Sequence, residues 1–278
     1  QKPPRFVLLV GDASFDPRNY YGFGHFDYVP TRLVETAYLE TASDDWFVDF
    51  DNDGLPDMAI GRIPVRTEEE AAGVVAKIIG YEQSRERMQD VLLVADMKDE
   101  NFDYMAASQE VKAILPQNVL VSEVYRDQFP DDVQVKNELV NRLNQGPLLV
   151  NYIGHGTMEF WRGDIFGSDD AEALTNGLRL PLVIGMTCLT GVFHDVYYET
   201  LAEAFLKARD GGAVAVWTSS GLTEPDKQAV MNKGMIRLLF NGEGLTIGEA
   251  VKRAKAAVSD LDIRRTWILF GDPTTRLK

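Results

Sequence analysis

The sequence predicts an α/β protein with a doubly wound, mainly parallel sheet and helices on both faces. Short apolar runs alternate with amphipathic helical patterns from one end of the chain to the other. These runs are apolar along their whole length, which is typical of strands that are buried on both faces. Alternation of strands and helices favours a parallel sheet with helices packed against it. The predicted strands are residues 6–10, 58–60, 91–95, 119–125, 147–153, 181–187, 213–219 and 266–270.

The predicted helices have recognisable starting signals at two places. Thr67 and Glu70 have the spacing of a capping box before an apolar stripe over 68–82. The same Thr/Glu spacing precedes the helical pattern of 247–258. Weaker helical patterns fall near 104–115, 131–144, 198–210 and 226–240.

The chain is predicted to consist of two related halves, residues 1–88 and residues 89–278. "LLVGD" at 8–12 is echoed by "LLVAD" at 92–96, and each is a strand that runs into an aspartate. The polar segment 84–90 lies between them and provides a connection.

The charge balance excludes several classes of partner. Lys and Arg number 28 against 43 Asp and Glu, which gives a net charge of −15. Such a chain repels nucleic acids and anionic membrane surfaces, and it suits a protein that lies outside the cell or binds cations. No apolar run reaches the length of a membrane span, so no transmembrane segment is expected. The start at Gln1, close to an apolar strand, favours a processed chain or a fragment with a missing upstream segment or prodomain.

His155 and Cys188 are the candidate catalytic pair. Each follows a predicted buried strand, 147–153 and 181–187 respectively. Functional groups in an open parallel sheet gather outside the carboxyl ends of the strands. If these strands are neighbours, the imidazole and the thiol meet there, in the arrangement that activates a cysteine nucleophile. The alternative is a glycine-rich turn with an incidental histidine, together with a cysteine that packs as a small hydrophobe.

The glycines on either side of His155 fit the catalytic hypothesis. Gly154 and Gly156 allow a sharp turn and a close approach of the backbone to a ligand. The N–H groups of Gly156 and Cys188 would then stabilise the oxyanion of a tetrahedral intermediate.

These segments resemble a known family. "NYIGHGTMEFW" (151–161) and "PLVIGMTCLTGVF" (181–193) resemble the histidine and cysteine blocks of the gingipain family of cysteine peptidases. The resemblance extends in the same order to "LLVGDASFDP", "ASDDWF", "AIGRIPVRTEEEA" and "TWILFGDPTTRL". It implies a caspase-like fold, shared with caspases, legumains and separase. It also implies that His155 is the general base, Cys188 the nucleophile and Gly156 an oxyanion donor.

The same resemblance assigns roles to the two halves. Residues 89–278 would be the catalytic caspase-like half. Residues 1–88 would be an N-terminal, pseudo-caspase-like half from which the first part is absent.

The resemblance also points to residues that would contact the substrate and set its preference. Alignment with the family puts Met105 where its arginine-specific members carry an acidic residue, and Asp103 is the nearest acid. Preference for a basic side chain is therefore open. Met186, Trp217 and Ser219 are further candidates for substrate binding, although a tryptophan there is equally typical of a core.

Other polar residues near the predicted site have several possible roles. The carboxylate that orients the histidine in the family would fall near Lys98, with Asp96 and Asp99 as candidates, although all the acids of this loop also suit a solvated surface. His194 is expected at the surface or in a substrate pocket, and His25 in a structural or binding loop.

The segment "DFDNDGLPD" (49–57) predicts a calcium site. Asp49, Asp51, Asp53 and Asp57 supply several oxygens from one loop, and Gly54 provides the turn. The glutamate that closes an EF-hand is missing, so ligands from elsewhere would be needed. An acidic surface turn is the alternative, and a bound Ca²⁺ would be structural rather than catalytic.

The sequence therefore predicts a secreted or cell-surface cysteine endopeptidase that acts on proteins or peptides. One alternative is a cysteine transpeptidase, similar to sortases, of a bacterial secretion system, because the same pair serves transfer to an amine. Another is a non-catalytic extracellular module stabilised by calcium.

Overall fold

The computed structural model describes residues 4–86 and 88–278, which build a central sheet flanked by helices. The strands are β1 Phe6–Val10, β2 Arg32–Glu35, β3 Glu40–Ser43, β4 Ala59–Ile63, β5 Asp90–Ala95, β6 Leu120–Tyr125, β7 Leu149–Ile153, β8 Phe160–Trp161, β9 Phe166–Gly167, β10 Leu182–Met186, β11 Ala215–Ser219 and β12 Trp267–Phe270. The α-helices are α1 Glu68–Gln83, α2 Tyr104–Ile114, α3 Asp132–Asn144, α4 Ser168–Glu172, α5 Leu201–Lys207, α6 Pro225–Phe240, α7 Ile247–Lys255 and α8 Leu261–Thr266. Single 3₁₀ turns are formed by Asp44–Phe47 and Arg126–Gln128.

The central sheet has eight strands in the order β1-β4-β12-β11-β10-β7-β5-β6. Every predicted strand lies in this sheet, so the predicted doubly wound, mainly parallel architecture is confirmed. β11 and β12 are its antiparallel pair, and the other neighbours are parallel. The strands β5, β7, β10 and β11 therefore end at the same edge.

Burial explains why the middle strands carry almost no polar side chains. All five residues of β7 and all five of β10 are buried. The exception in β7 is Asn151, whose amide exchanges two hydrogen bonds, of 2.8 and 2.9 Å, with the amide of Asn232 on α6. The pair satisfies two buried polar groups and fixes α6 against the sheet.

Both predicted halves contribute to this one sheet. β1 and β4 belong to residues 1–88, and β4 pairs with β12 through Arg62 and Phe270. Residues 1–3 and 87, which belong to the predicted first half, lie outside the described residues. The boundary at 88/89 stays a prediction.

The sequence patterns missed several short elements. The strands β8 and β9 have two residues each, β2 and β3 have four each, and the helices α4 and α8 have five and six. The predicted capping box at α7 is present, but at α1 the Glu70 carboxylate accepts from the Arg66 N–H instead of the Thr67 N–H. Among the described residues, no helix has the length and apolar character needed to cross a membrane.

Candidate active site

His155 and Cys188 lie at the same edge of the sheet. β7 and β10 are parallel neighbours, with Ile153 opposite Met186. His155 follows β7 by two residues, and Cys188 follows β10 by two residues. The expectation that the two strands are neighbours is confirmed.

The imidazole of His155 is held on one side by a carboxylate and a phenol. Its Nε2 lies 2.8 Å from Asp99 Oδ2 and 2.8 Å from the Tyr104 hydroxyl oxygen. Tyr104 also donates its O–H to Asp99 Oδ2 at 2.9 Å. The hydrogen bond from His155 holds the pKa of Asp99 below its usual range. The pKa of Tyr104 is raised, mainly because the phenol is buried and also because it donates a hydrogen bond to the charged Asp99.

A carboxylate at Nε2 favours the tautomer that carries its proton there. Nδ1 of His155 is then the basic nitrogen, and it has no hydrogen-bond partner among residues 4–86 and 88–278. The side chain is about half exposed, at 49%. The arrangement therefore leaves a basic nitrogen available to accept a proton.

The backbone of His155 is fixed by different groups. Asp96, at the end of β5, accepts the His155 N–H at 3.2 Å, and its other oxygen pairs with Arg126 at 2.9 Å. Tyr152 donates its hydroxyl to the His155 carbonyl at 2.6 Å. Of the two acids considered from the sequence, Asp99 thus contacts the ring and Asp96 contacts the backbone.

The glycines are required by close packing. A Cβ on Gly154 would lie 2.4 Å from the Tyr152 hydroxyl oxygen and 2.5 Å from Asp96 Cβ. A Cβ on Gly156 would lie 2.6 Å from Thr187 Oγ1. These separations are shorter than any side chain tolerates, so glycine allows the histidine turn to pack onto the turn that carries Cys188.

Cys188 lies in a strained turn and is partly buried. The next residue, Leu189, has a φ of 64°, which is rare for a side chain other than glycine. The thiol donates to the Thr223 carbonyl oxygen at 3.7 Å, and no hydrogen bond between Sγ and His155 is present among the described residues. Burial, and secondarily the charge of Glu224, raises the pKa of the Cys188 thiol.

Two backbone N–H groups, those of Gly156 and Cys188, lie where the histidine turn packs against the turn that carries Cys188. Gly156 and Trp161 face each other in an antiparallel bridge. The backbone hydrogen bonds of this bridge are made by the neighbouring residues: the Thr157 N–H donates to the Phe160 carbonyl, and the Arg162 N–H donates to the His155 carbonyl. This pattern leaves the Gly156 N–H without an acceptor in the described part of the chain, and the Cys188 N–H likewise has none there. Unpaired N–H groups of this kind are what a developing oxyanion requires.

An open surface depression of about 540 Å³ lies next to the imidazole. It is lined by Asp99, Glu100, Asn101, His155 and Arg162. The site is therefore accessible from solvent on the histidine side.

The residues predicted to bind substrate divide into two groups. Met186, Trp217 and Ser219 have no exposed surface in this structure, so they act as packing residues of the sheet edge. Asp103 caps α2 by accepting the Ala106 N–H at 2.9 Å, and Met105 packs partly buried against the core. Direct contact of these five side chains with a substrate stays a prediction.

The other two histidines lie apart from the candidate pair. His25 is exposed in its loop. The expectation of a surface or pocket position for His194 is wrong, because its side chain is buried and its Nδ1 has no partner in the described structure. Burial lowers the pKa of His194 to about 4.

The acidic loop brings three of its four aspartates together. One carboxylate oxygen from each of Asp49, Asp51 and Asp53 lies within 4.8 Å of the others. Oxygen ligands about 2.4 Å from one Ca²⁺ have separations in this range, so the three residues fit a single ion. Asp57 instead accepts the Phe50 N–H at 3.0 Å and closes the loop, so its role as a ligand stays a prediction.

Sequence reasoning missed Tyr104, which is the second contact of the imidazole. The available signal was a tyrosine at the first position of α2, directly after a predicted strand and an acidic loop. Arg126 was also missed, since its role depends on a buried partner 30 residues away in sequence.

The fold has a caspase-like architecture, and the turns after β7 and β10 carry a candidate histidine–cysteine pair. The chain belongs to peptidase family C25, whose family model matches residues 1–278. It is similar to gingipain R2 of Porphyromonas gingivalis, with 25% identity over 293 residues that cover 97% of this chain and 37% of that protein. It is also similar to Lys-gingipain W83 of the same organism, with 26% identity over 228 residues. That match covers 78% of this chain and 12% of that protein. The chain thus spans well under half the length of these curated relatives.

Solved structures support the fold. The crystal structure of the Arg-specific cysteine proteinase gingipain R (RgpB) superposes with a TM-score of 0.81 at 22% identity, covering 98% of this chain and 64% of that chain. The Saccharomyces cerevisiae separase–securin complex gives 0.54 at 13% identity, covering 80% of this chain and 14% of that chain. The caspase-like fold implied by the resemblance is confirmed.

Proposed function

We propose that this chain is a cysteine endopeptidase that cleaves peptide bonds through an acyl-enzyme. The observation that carries the proposal is His155, held by Asp99, at the sheet edge where the neighbouring strand leads into Cys188. A nucleophile, a base and a group that orients the base form the arrangement expected for covalent catalysis.

The first chemical step forms a thioester. His155 Nδ1 takes the proton of the Cys188 thiol, and the thiolate attacks the carbonyl carbon of the scissile bond. The N–H groups of Gly156 and Cys188 stabilise the negative oxygen of the tetrahedral intermediate. The intermediate collapses when the C–N bond breaks and His155 gives its proton to the leaving amine.

The second step releases the acid product. Water gives a proton to His155, attacks the thioester carbon, and forms a second tetrahedral intermediate. That intermediate expels the Cys188 thiolate, which regains its proton. An amine in place of water would make the same acyl-enzyme a transpeptidase.

Turnover of a fluorogenic peptide library tests this proposal and reports the residue preference. We expect wild-type protein to cleave a subset of peptides. Cys188→Ala and His155→Ala should each lower kcat by several orders of magnitude while the melting temperature stays close to that of wild type. Cleavage that persists in the purified Cys188→Ala protein would overturn the proposal.

We further propose that the substrates are proteins and that the protein acts outside the cell, with an upstream prodomain as a possible partner. The net charge of −15 and the family membership support this. RgpB of Porphyromonas gingivalis has been solved as a complex of its pro- and mature domains. Cell fractionation would test the location, and recovery from the cytoplasm would contradict it.

We also propose a structural Ca²⁺ in the acidic loop, held by Asp49, Asp51 and Asp53. Their mutual spacing supports one shared ion, and a cation relieves the repulsion between them. Backbone carbonyls and waters would complete the six to eight oxygens that Ca²⁺ prefers.

A further inference from the structure

The hairpin β2–β3 reaches from the first half of the chain to the segment beside the nucleophile. Tyr38, in the turn of the hairpin, donates its hydroxyl to the carboxylate of Glu224. Glu224 directly follows Thr223, whose carbonyl oxygen accepts the thiol of Cys188 at 3.7 Å. A continuous set of contacts therefore joins the hairpin turn to the thiol.

The Thr223 carbonyl is also fixed from the helix behind it. Gln228 on α6 donates its amide to the Thr223 carbonyl at 3.1 Å and to the Thr223 hydroxyl at 3.0 Å. α6 is itself tied to the sheet through the Asn232–Asn151 pair. The carbonyl that holds the thiol is thus bonded directly by the buried Gln228, and the residue that follows it, Glu224, is held by Tyr38.

The two supports differ in how easily they are released. Gln228 is buried, whereas Tyr38 is 56% exposed and Glu224 is exposed as well. Hydrogen bonds between exposed groups exchange readily with water and contribute little free energy. The exposed contact between Tyr38 and Glu224 is therefore the support that is more easily displaced.

We propose that Tyr38 is a positioning residue for the nucleophile: through Glu224 it holds the Thr223 carbonyl against Cys188 Sγ, and its displacement frees the thiol to turn toward His155. The inference rests on the proposed role of Cys188 as the nucleophile. It explains why the thiol is bonded to a carbonyl while His155 Nδ1 is left without a partner. It also links residues 1–88 to the proposed catalytic centre through the contact between Tyr38 and Glu224.

Alkylation by iodoacetamide tests this inference, because Cys188 is the only cysteine of the chain and every label reports on it. We expect Tyr38→Phe to raise the alkylation rate by about two- to fivefold, which is the range of an exposed hydrogen bond. Glu224→Ala should do the same, and the double variant should be no faster than the faster single variant, because both remove one contact. The pH midpoint of alkylation should move in Tyr38→Phe, which changes no charge, and loss of packing elsewhere would not move it. In Glu224→Ala the midpoint should also fall because the charge of Glu224 raises the pKa of the Cys188 thiol.

Tyr20→Phe is the matched control. Tyr20 is 78% exposed and its hydroxyl accepts from Arg18 in a different loop, so its loss should leave the rate unchanged. An unchanged alkylation rate in Tyr38→Phe would overturn the inference. Equal acceleration by Tyr20→Phe would also overturn it, and so would a double variant whose acceleration is the product of the two single accelerations.

A peptidyl acyloxymethyl ketone separates this inference from the proposed function. If Tyr38→Phe leaves iodoacetamide alkylation unchanged while ketone labelling requires His155, the positioning role fails and the peptidase function stands. If Tyr38→Phe accelerates alkylation while ketone labelling ignores His155, Tyr38 still restrains the thiol, but the peptidase function fails and that restraint has no catalytic role.

Discussion

Asp99 Oδ2 lies 2.8 Å from His155 Nε2, although the two residues are 56 positions apart in the sequence. Asp99 belongs to the loop after β5, and His155 to the turn after the neighbouring strand β7. The sheet therefore delivers a carboxylate to the back of the imidazole, where it selects the tautomer with Nδ1 free. The proposed catalytic step depends on that selection.

Replacement of Asp99 by Asn should lower kcat/KM by about 10²-fold or more, within the range attributed to general acid–base catalysis. The amide can present its carbonyl to Nε2–H but cannot stabilise the charged imidazolium. Binding is little affected, so the loss should fall mainly on kcat. The measurement is steady-state hydrolysis of a cleaved peptide from the library.

Asp131→Asn is the control for this change. Asp131 caps α3 by accepting the Gln134 N–H at 2.9 Å, and asparagine caps a helix equally well. It should retain wild-type kinetics. Equal activity of Asp99→Asn and Asp131→Asn would show that Asp99 does not orient the base.

Gly156→Ala should reduce kcat/KM by at least about tenfold, because oxyanion-hole donors act only when placed to within a fraction of an ångström. The new methyl group would lie 2.6 Å from Thr187 Oγ1 and 3.3 Å from the Cys188 carbonyl oxygen, so the two turns must separate. Gly73→Ala on α1, where a Cβ meets nothing within 4 Å, is the control. It should keep full activity and gain about 0.5–1 kcal/mol of stability. Wild-type kinetics in Gly156→Ala would argue against the proposed donor.

His194 should make the protein less stable in mild acid. Its pKa is about 4 in the folded protein against an ordinary value of 6.5, so between these values the unfolded chain binds more protons. Its contribution is thus fully present above pH 6.5 and is lost as the pH falls through 6.5 toward 4, by about 3 kcal/mol in all.

The measurement is the free energy of unfolding of wild type and His194→Gln from pH 4 to pH 8. The difference between the two proteins should change across the window from 6.5 to 4 and stay flat above it. The comparison is needed because buried Glu203, whose pKa is raised to about 7 by burial, acts in the opposite direction. A difference that is independent of pH would contradict the assignment.

Removal of calcium should lower the melting temperature. Without an ion, the carboxylates of Asp49, Asp51 and Asp53 repel one another in a loop that packs against α8 through Gly54 and Leu261. Chelation followed by calorimetry measures the loss, and added Ca²⁺ should restore it. Asp51→Asn should weaken the response to the chelator. An unchanged melting temperature, with no bound ion found by elemental analysis, would eliminate the site.

The strands and the placement of His155 and Cys188 at one sheet edge were predictable because they depend on local signals. Buried parallel strands need continuous apolar runs, and the turns after β7 and β10 carry a histidine and a cysteine with glycine in the positions that close packing requires. Neighbouring strands then bring the two turns to one edge without further information.

The rest of the site depends on contacts between segments that are distant in sequence. Tyr104 and Arg126 are ordinary residues in their own helices and turns, and become part of the site only because β5 lies beside β7. His194 was predicted at the surface or in a substrate pocket because it lies in the loop after Cys188 rather than at a strand end, but its ring packs against Phe193, over which Arg62 lies. The burial of a short loop is decided by tertiary packing, which its position in the sequence does not encode.

The rate at which a peptidyl acyloxymethyl ketone labels Cys188 tests the central claim most directly. We expect wild-type protein to react far faster than a free thiol, and His155→Ala to lose that advantage while the protein remains folded. Labelling no faster than that of a free thiol, with no change in His155→Ala, would contradict the account.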